Sequence, residues 1–371
     1  MRGEHVRPGR IRGQITDAKL LDGTLKDTVS RARSWTTHRQ ALPMKALNDN
    51  LDIGTYSVIP VTRSLGLIEW IPDTMPLGSV VENRVGQKGL HDCSDAYSKA
   101  LTAMSERTRR KSKKPTPLLQ SYRDLFESGL PDDDVVAAFH NTHSGMPWDL
   151  PSRIATSLCN SPEAFLTIRT ALVTSFAVGS IASYIVGIGD RHLDNFLVGE
   201  RTGRIVQIDF GVAFGAGLDL AVPELTMAHA LQAFRAHRSH LVSVMSVFAR
   251  EPHVDWQAED LRFEHDGGAT FPQAATSSGS ASLAASSRIA TARSKLEGRS
   301  SVQVMLGEFA RTKHATSRYA GRMKDLITGA GGRPDYGADP LSVDDQVACL
   351  LEHASDPALL GRSWQGWRPF V

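Results

Sequence analysis

The apolar and polar positions divide the chain into stretches of different period. Residues 1 to 50 show no sustained period and predict no element. Thr55 to Pro60 (TYSVIP) reads as a β-strand and Gly66 to Ile71 (GLIEWI) as a second extended run. Pro60 and Thr62-Arg63-Ser64 form the turn of a hairpin that leaves through Pro72. From Leu77 to about Met104 a helical pattern alternates with polar breaks. Ser161-Pro162-Glu163 is a helix start, with a capping hydroxyl, proline at the first helical position and an acid in the first turn. The helix it opens runs through Thr170 to Gly189, which has no charged residue. Phe196 to Val198 and Ile205 to Asp209 are short β runs, and Gly199-Glu200-Arg201-Thr202-Gly203 between them signals a second hairpin. A helical stretch follows around Ala228 to Arg250. Residues 266 to 300 are dominated by Ser, Ala and Gly, a composition expected of a mobile connector. From Leu341 the pattern returns to amphipathic helix, and no internal repeat is visible.

Composition narrows the class. The 371 residues carry 42 basic and 40 acidic side chains, a formal charge of +2, and 41% hydrophobic residues suffice for a packed core. That balance argues against a wholly basic nucleic-acid binder, whose affinity comes from neutralising phosphates. Cys93, Cys159 and Cys349 are too far apart for a disulfide framework or a metal cluster, which suits a reducing compartment. The opening MRGEHVRPGRIRGQ lacks the apolar core of a secretory signal. The uncharged run is long enough to span a bilayer, which takes roughly 20 residues. It also holds Thr174, Ser175, Ser180, Ser183 and three glycines, so a buried helix of a soluble domain fits better. Glu106 to Lys114 has six basic residues in nine. A nucleic-acid contact or nuclear address is the sharper reading of it, and a solvated loop the preferred one.

The chemistry concentrates in GIGDRHLDNFLV and IVQIDFG. Four residues separate Asp190 from Asn195, a short hairpin follows, and Asp209-Phe210-Gly211 comes next. Phosphoryl transfer needs an acceptor for the substrate hydroxyl proton and oxygen ligands for a magnesium ion that bridges the ATP phosphates. A hairpin between Asn195 and Asp209 would bring two hard oxygen donors to one metal. DFG or DRH alone is a weak signal; the two together at this spacing are a strong one. Helix caps or ordinary loop acids are the competing account of Asp190 and Asp209.

The order DRH, where ordinary protein kinases have HRD, resembles the phosphatidylinositol 3-kinase-like superfamily. The resemblance implies Asp190 as base, His192 as a contact to the transferred phosphate, Asn195 and Asp209 as metal ligands, and ATP with Mg2+ (or Mn2+) as cofactors. It implies an α+β, protein-kinase-like bilobal fold of the phosphatidylinositol 3/4-kinase type. The hinge would be Glu69-Trp70-Ile71, its backbone hydrogen-bonding adenine and Trp70 stacking on the ring, with Ile208 on the pocket floor. Packing between the lobes is the blander account of Trp70. From Ile205 to Phe234 there is no Lys or Arg. A phosphoinositide headgroup needs basic partners, so a protein hydroxyl is the expected acceptor. The end of the chain, LSVDDQVACLLEHASDPALLGRSWQGWRPFV, resembles the FATC tail of the phosphatidylinositol 3-kinase-related protein kinases. Its Leu350, Leu351, Leu359, Leu360, Trp364 and Trp367 would pack on the kinase domain.

Within that family, TYSVIPVTRSLGLIEWI, SPEAFLTIR, VPEL, VFAREPHVDW and SDPALLGRSWQGW are similar to the branch that repairs DNA double-strand breaks by end joining. The similarity runs from about Thr55 to Val371. It implies a non-specific serine/threonine protein kinase in the nucleus, with protein substrates and no membrane. It also implies the Ku heterodimer and DNA ends as partners, through regions not in this chain. The expected division is a truncated N-lobe over 1–71, a mostly helical C-lobe over 72–264, a connector over 265–300, C-terminal kinase helices over 301–340 and the FATC tail over 341–371. Three features depart from the family pattern. No phosphate-binding loop is visible in residues 1–54, whose lysines Lys19, Lys26 and Lys45 lie in no strand pattern. Thr226 to Leu231 lacks the arginine usual after VPEL, and Val212 replaces a histidine common after DFG. Three readings therefore stand: an active protein kinase, a pseudokinase or fragment acting as a binding or scaffold module, and, least favoured, a phosphoinositide kinase.

Overall fold

The computed structural model describes residues 54–60, 66–85, 87–108, 125, 128–147, 149–189, 191–210, 224–248, 278–310, 320–329 and 340–363. The turn at Thr62 to Ser64, the basic run beyond residue 108, the segment after Phe210, and Trp364 and Trp367 lie outside them.

The first hairpin forms as expected with shorter strands. β1 (Val58–Pro60) runs antiparallel to β2 (Gly66–Ile68), pairing Val58 with Ile68. The Glu69 N–H donates to Ser57 O at 2.8 Å and extends the ladder by one step. Tyr56 and Val58 are buried while Ser57 is exposed, the period-two alternation of a half-buried strand. A second sheet has the order β3-β4-β5, from β3 (Thr74–Pro76), β4 (Phe196–Gly199) and β5 (Ile205–Gln207), antiparallel throughout. An isolated parallel bridge from Gly54 to Val206 joins the first segment to β5. Between β4 and β5 the chain turns through Gly203 at φ +69, where a Cβ would lie 2.8 Å from Ile168 O. Glycine is therefore required there on two counts.

Helices make up most of the rest. α1 (Leu77–Val85) and α2 (Gln87–Thr108) follow β3 directly, and α3 (Asp132–His143) and α4 (Leu150–Ser157) follow them. α5 (Pro162–Val186) starts where the sequence predicts, with the Ser161 hydroxyl accepting from the Ala164 N–H. It ends on Gly187 in the left-handed conformation, the Ile188 N–H reaching back to Ser183 O at 2.9 Å. This helix is long and apolar enough to cross a membrane by length and composition. Residues 177–188 are nonetheless buried without a break, and Ala177, Ile181, Ile185 and Ile188 sit in the main core. Two of its serines face the second sheet. Ser175 Oγ accepts from the Ile205 N–H at 2.8 Å, and Ser183 Oγ donates to Gln207 Oε1 at 2.6 Å.

Where one helical stretch is predicted after residue 228, two form: α6 (Glu224–Ala236) and α7 (Arg238–Phe248), broken at His237. The expected connector is overturned over most of its length, since Ser278–Leu296 is a helix, α8. Its Ala and Leu are good helix formers, and small side chains let a helix pack closely. Ala292, Leu296, Thr291 and Lys295 are buried. A Ser/Ala-rich composition thus describes a packed helix here; residues 266 to 277 lie outside the described set.

α9 (Ser301–Phe309) and α10 (Ala320–Thr328) lead to the tail helices α11 (Val343–Ala354) and α12 (Pro357–Leu360). Leu350 and Leu359 are buried and Leu351 and Leu360 partly so, as the tail pattern requires. Polar bonds fasten this tail to the helices beneath. Arg235 of α6 donates to Leu341 O and to Gln346 Oε1, and Gln346 Nε2 donates to Lys295 O and Arg299 O, both at 2.9 Å. Lys295 Nζ in turn donates to Tyr184 O at 2.9 Å near the end of α5, with Glu308 3.9 Å away. Farther along, the Tyr97 hydroxyl donates to Gly361 O, and Arg362 pairs with Asp132.

Two outcomes follow for stability. Gly203→Ala should destabilise the chain by about 2 kcal/mol or more, from positive-φ strain and overlap with Ile168, measured by urea unfolding. Burial pushes the Lys295 pKa below the ordinary lysine value, with Glu308 opposing that shift in part. Between the folded pKa and the unfolded value the unfolded chain holds more protons, so stability rises with pH across that window. The unfolding free energy of the wild type minus that of Lys295→Met should therefore increase as pH is raised toward the ordinary lysine pKa. A flat difference would mean that Lys295 stays charged throughout.

Candidate active site

The second sheet assembles the site. After Gly187 ends α5, residues 193–195 make a single 3₁₀ turn, closed by the Asn195 N–H on His192 O at 2.9 Å. β4 and β5 then carry the chain out and back, so that the Ile208 N–H donates to Asn195 O at 2.9 Å. The two ends of the hairpin, and with them Asn195 and Asp209, are brought side by side. Asn195 is 5% exposed, while His192 and Asp209 are half-buried. Asp209 adopts φ +55, a left-handed conformation uncommon for a non-glycine residue and enriched at functional sites. Asp190 lies outside the described residues, between Gly189 and Arg191, which are both described.

Sequence reasoning passed over Arg191. Its side chain is 5% exposed and faces the start of the DFG segment. Nε donates to Gly189 O at 3.1 Å, Nη1 to Ile208 O at 3.0 Å and Nη2 to Asp209 O. The guanidinium also lies 5.9 Å from the ring centroid of Phe196 and 5.6 Å from that of Phe210. Phe210 stacks on Tyr56, with centroids 6.4 Å apart and planes 10° apart. An arginine lodged between two chemistry-bearing residues was the available signal. Ser175, Ser183 and Gln207 were likewise missed as a group, although the hydroxyls were noticed as unusual in an apolar run.

The predicted hinge lies at the end of the first hairpin. Trp70 is 85% exposed, which removes the account of it as core packing between lobes. The Glu69 amide is engaged with Ser57 O, and the Glu69 carboxylate accepts from the Ser57 N–H at 2.7 Å. Any adenine contact to an N–H of this segment would therefore fall to Trp70 or Ile71. Ile71 and Ile208 both pack against the core that holds Tyr56 and Phe210. Among the described residues no group of three or more His, Cys, Asp and Glu side chains could hold a metal by itself. Asn195 and Asp209 suit magnesium nonetheless, because that ion takes few protein oxygens and completes its shell with water and phosphate.

Residues 39–226 match the phosphatidylinositol 3- and 4-kinase family, and residues 340–371 match the FATC domain. The chain belongs to the phosphatidylinositol 3- and 4-kinase family, and its kinase-plus-FATC arrangement is that of the phosphatidylinositol 3-kinase-related protein kinases. Among its relatives, the DNA-dependent protein kinase catalytic subunit of Gallus gallus is 32% identical over 359 residues, covering 87% of this chain and 8% of the relative. The protein of that name from Mus musculus is 30% identical with the same coverage. A target of rapamycin homolog from Caenorhabditis elegans is 26% identical, over 86% of this chain and 11% of the relative. The solved FAT and kinase domain of CtTel1 superposes with a TM-score of 0.59 at 17% identity, covering 100% of this chain and 21% of that one. The fold is accordingly the bilobal, mostly helical kinase fold with a small sheet. The chain spans about 8% of the length of the DNA-dependent protein kinase relatives it matches.

The φ of Asp209 gives a stability test separate from chemistry. Glycine tolerates positive φ and alanine does not, so Asp209→Gly should be about 1 kcal/mol more stable than Asp209→Ala, read from paired melting curves.

Proposed function

We propose that this chain is the catalytic end of a serine/threonine protein kinase that transfers the ATP γ-phosphate to protein hydroxyls. The observation that carries the reading is the Ile208–Asn195 bond, which closes the hairpin and sets Asn195 beside Asp209. In this reading Asn195 and Asp209 hold Mg2+, Asp190 accepts the proton of the attacking hydroxyl, and His192 contacts the transferring phosphate. The metal supplies neutralisation of charge on the β- and γ-phosphates. Adenine would lie at Glu69-Trp70-Ile71, under the exposed Trp70 ring and over Ile208. The absence of Lys and Arg from Ile205 to Phe234 supports a protein rather than a phosphoinositide acceptor.

The relatives named as DNA-dependent protein kinase support a nuclear role in repairing DNA double-strand breaks by end joining. Ku and DNA ends would then be engaged by parts of a longer protein. The domain division given above is proposed with one change, α8 standing in place of most of the connector. A pseudokinase or fragment acting as a binding or scaffold module is the second reading, favoured by the sequence, in which Lys19, Lys26 and Lys45 lie in no strand pattern.

Phosphotransfer to a Ser/Thr peptide should be abolished by Asp190→Ala and by Asp209→Ala, with circular dichroism spectra unchanged. Phosphoinositide vesicles, offered in parallel, should be poor acceptors. Full activity in either variant would overturn the site, and preferred phosphorylation of lipid would overturn the substrate class. A wild-type chain that binds ATP weakly or not at all would favour the second reading.

A further inference from the structure

We infer that Arg191 is a positioning residue of this site, holding Asp209 in the conformation from which its carboxylate binds metal. The inference rests on the reading of Asp209 as a metal ligand. Asp209 is at φ +55, a left-handed conformation that aspartate can adopt at some cost and that its surroundings hold here. The holding group is visible. Two nitrogens of one guanidinium hold the consecutive carbonyls of Ile208 and Asp209, and the third holds Gly189 O, one residue before Asp190. One rigid fork therefore spans the entrance to the catalytic loop and the start of the DFG segment. The aromatic rings of Phe196 and Phe210 pack against the guanidinium and limit its rotation.

The fork geometry makes a specific demand on the side chain. Three backbone acceptors on two segments are matched by a planar group with donors fixed in direction. Lysine at 191 would keep the charge but could not address all three carbonyls from one nitrogen. Freed of its second and third anchors, Asp209 would relax from positive φ and turn its carboxylate away from Asn195. Metal affinity should then fall while the hinge, at the end of the other hairpin, keeps its hold on the nucleotide base.

The test uses the whole chain with Mn2+ as the probe, read by electron paramagnetic resonance in the presence of a non-hydrolysable ATP analogue. Arg191→Lys should weaken Mn2+ binding about tenfold, the scale of one lost charge-assisted contact, and leave metal-free analogue binding within about twofold. Asp209→Ala should weaken it too, and the double variant no further than Asp209→Ala alone, because both act through one carboxylate. Unchanged Mn2+ binding in Arg191→Lys, or additive losses in the double variant, would overturn the inference while leaving the site reading intact. If Asp209→Ala itself retained Mn2+, the site reading would fail and this inference with it. Should Arg191→Lys not fold, Phe210→Leu removes one ring from the guanidinium and keeps its hydrogen bonds. It should weaken Mn2+ binding about threefold, and no change there would overturn the inference equally.

Discussion

Two serine hydroxyls on a buried helix determine where the candidate site sits. Ser175 and Ser183 of α5 hold the two ends of β5, one through the backbone N–H of Ile205 and the other through the side chain of Gln207. A hydroxyl buried without a partner would cost a few kcal/mol in so apolar a helix. Ser175 donates to Ala171 O within the helix and accepts from the strand that leads to Asp209, and Ser183 donates to that strand. Between them, Gly179 admits Gln207, since a Cβ at that position would lie 2.7 Å from Gln207 Nε2. The alternation of serine, glycine and serine on one helix face is therefore a seat for the strand. The other anchor of the hairpin, the Gly203 turn, rests against Ile168 on the same helix. Asn195 and Asp209 inherit their positions from α5.

The far end of the chain bears on the same helix. The carbonyls at a helix C-terminus carry partial negative charge, and at Tyr184 one of them receives Lys295 Nζ. The amine also lies 4.9 Å from the centroid of the Tyr184 ring. Gln346 of the tail bonds the backbone of Lys295, and Arg235 of α6 bonds Gln346. Tail, α6, α8 and the end of α5 thus share one chain of polar contacts, three residues before Gly187 turns into the catalytic loop. His353 adds a second tie. Its Nε2 faces Ile327 O and must donate there, so its Nδ1 accepts from Ser301 Oγ at 2.6 Å.

What could be read from the chain beforehand followed from short-range chemistry. Ser161-Pro162-Glu163 announced the start of α5 because cap, proline and acid act within one turn. Gly199 to Gly203 announced the second hairpin because positive φ demands glycine at a fixed place. The spacing of Asp190, Asn195 and Asp209 pointed to a candidate site because phosphoryl transfer uses few residue types in a set order. The misses depend on long-range contacts. α8 looked like a connector because composition does not report what a Ser/Ala helix is packed against. Trp70 was open to either burial or exposure until the hairpin put it outside. Arg191 was passed over because its role depends on carbonyls 17 and 18 residues away.

Lys295 has one more consequence. A lysine 2% exposed, with its amine held by a carbonyl and kept less protonated than usual, is chemically a nucleophile behind a door. Amine-acylating reagents cannot approach it while α8, α9 and α11 are assembled around it. Its labelling rate is then a clock set by local opening rather than by reagent chemistry. Because that opening must part α8 from the end of α5, the same clock would time how often the C-terminal helices release the helix that seats the candidate site.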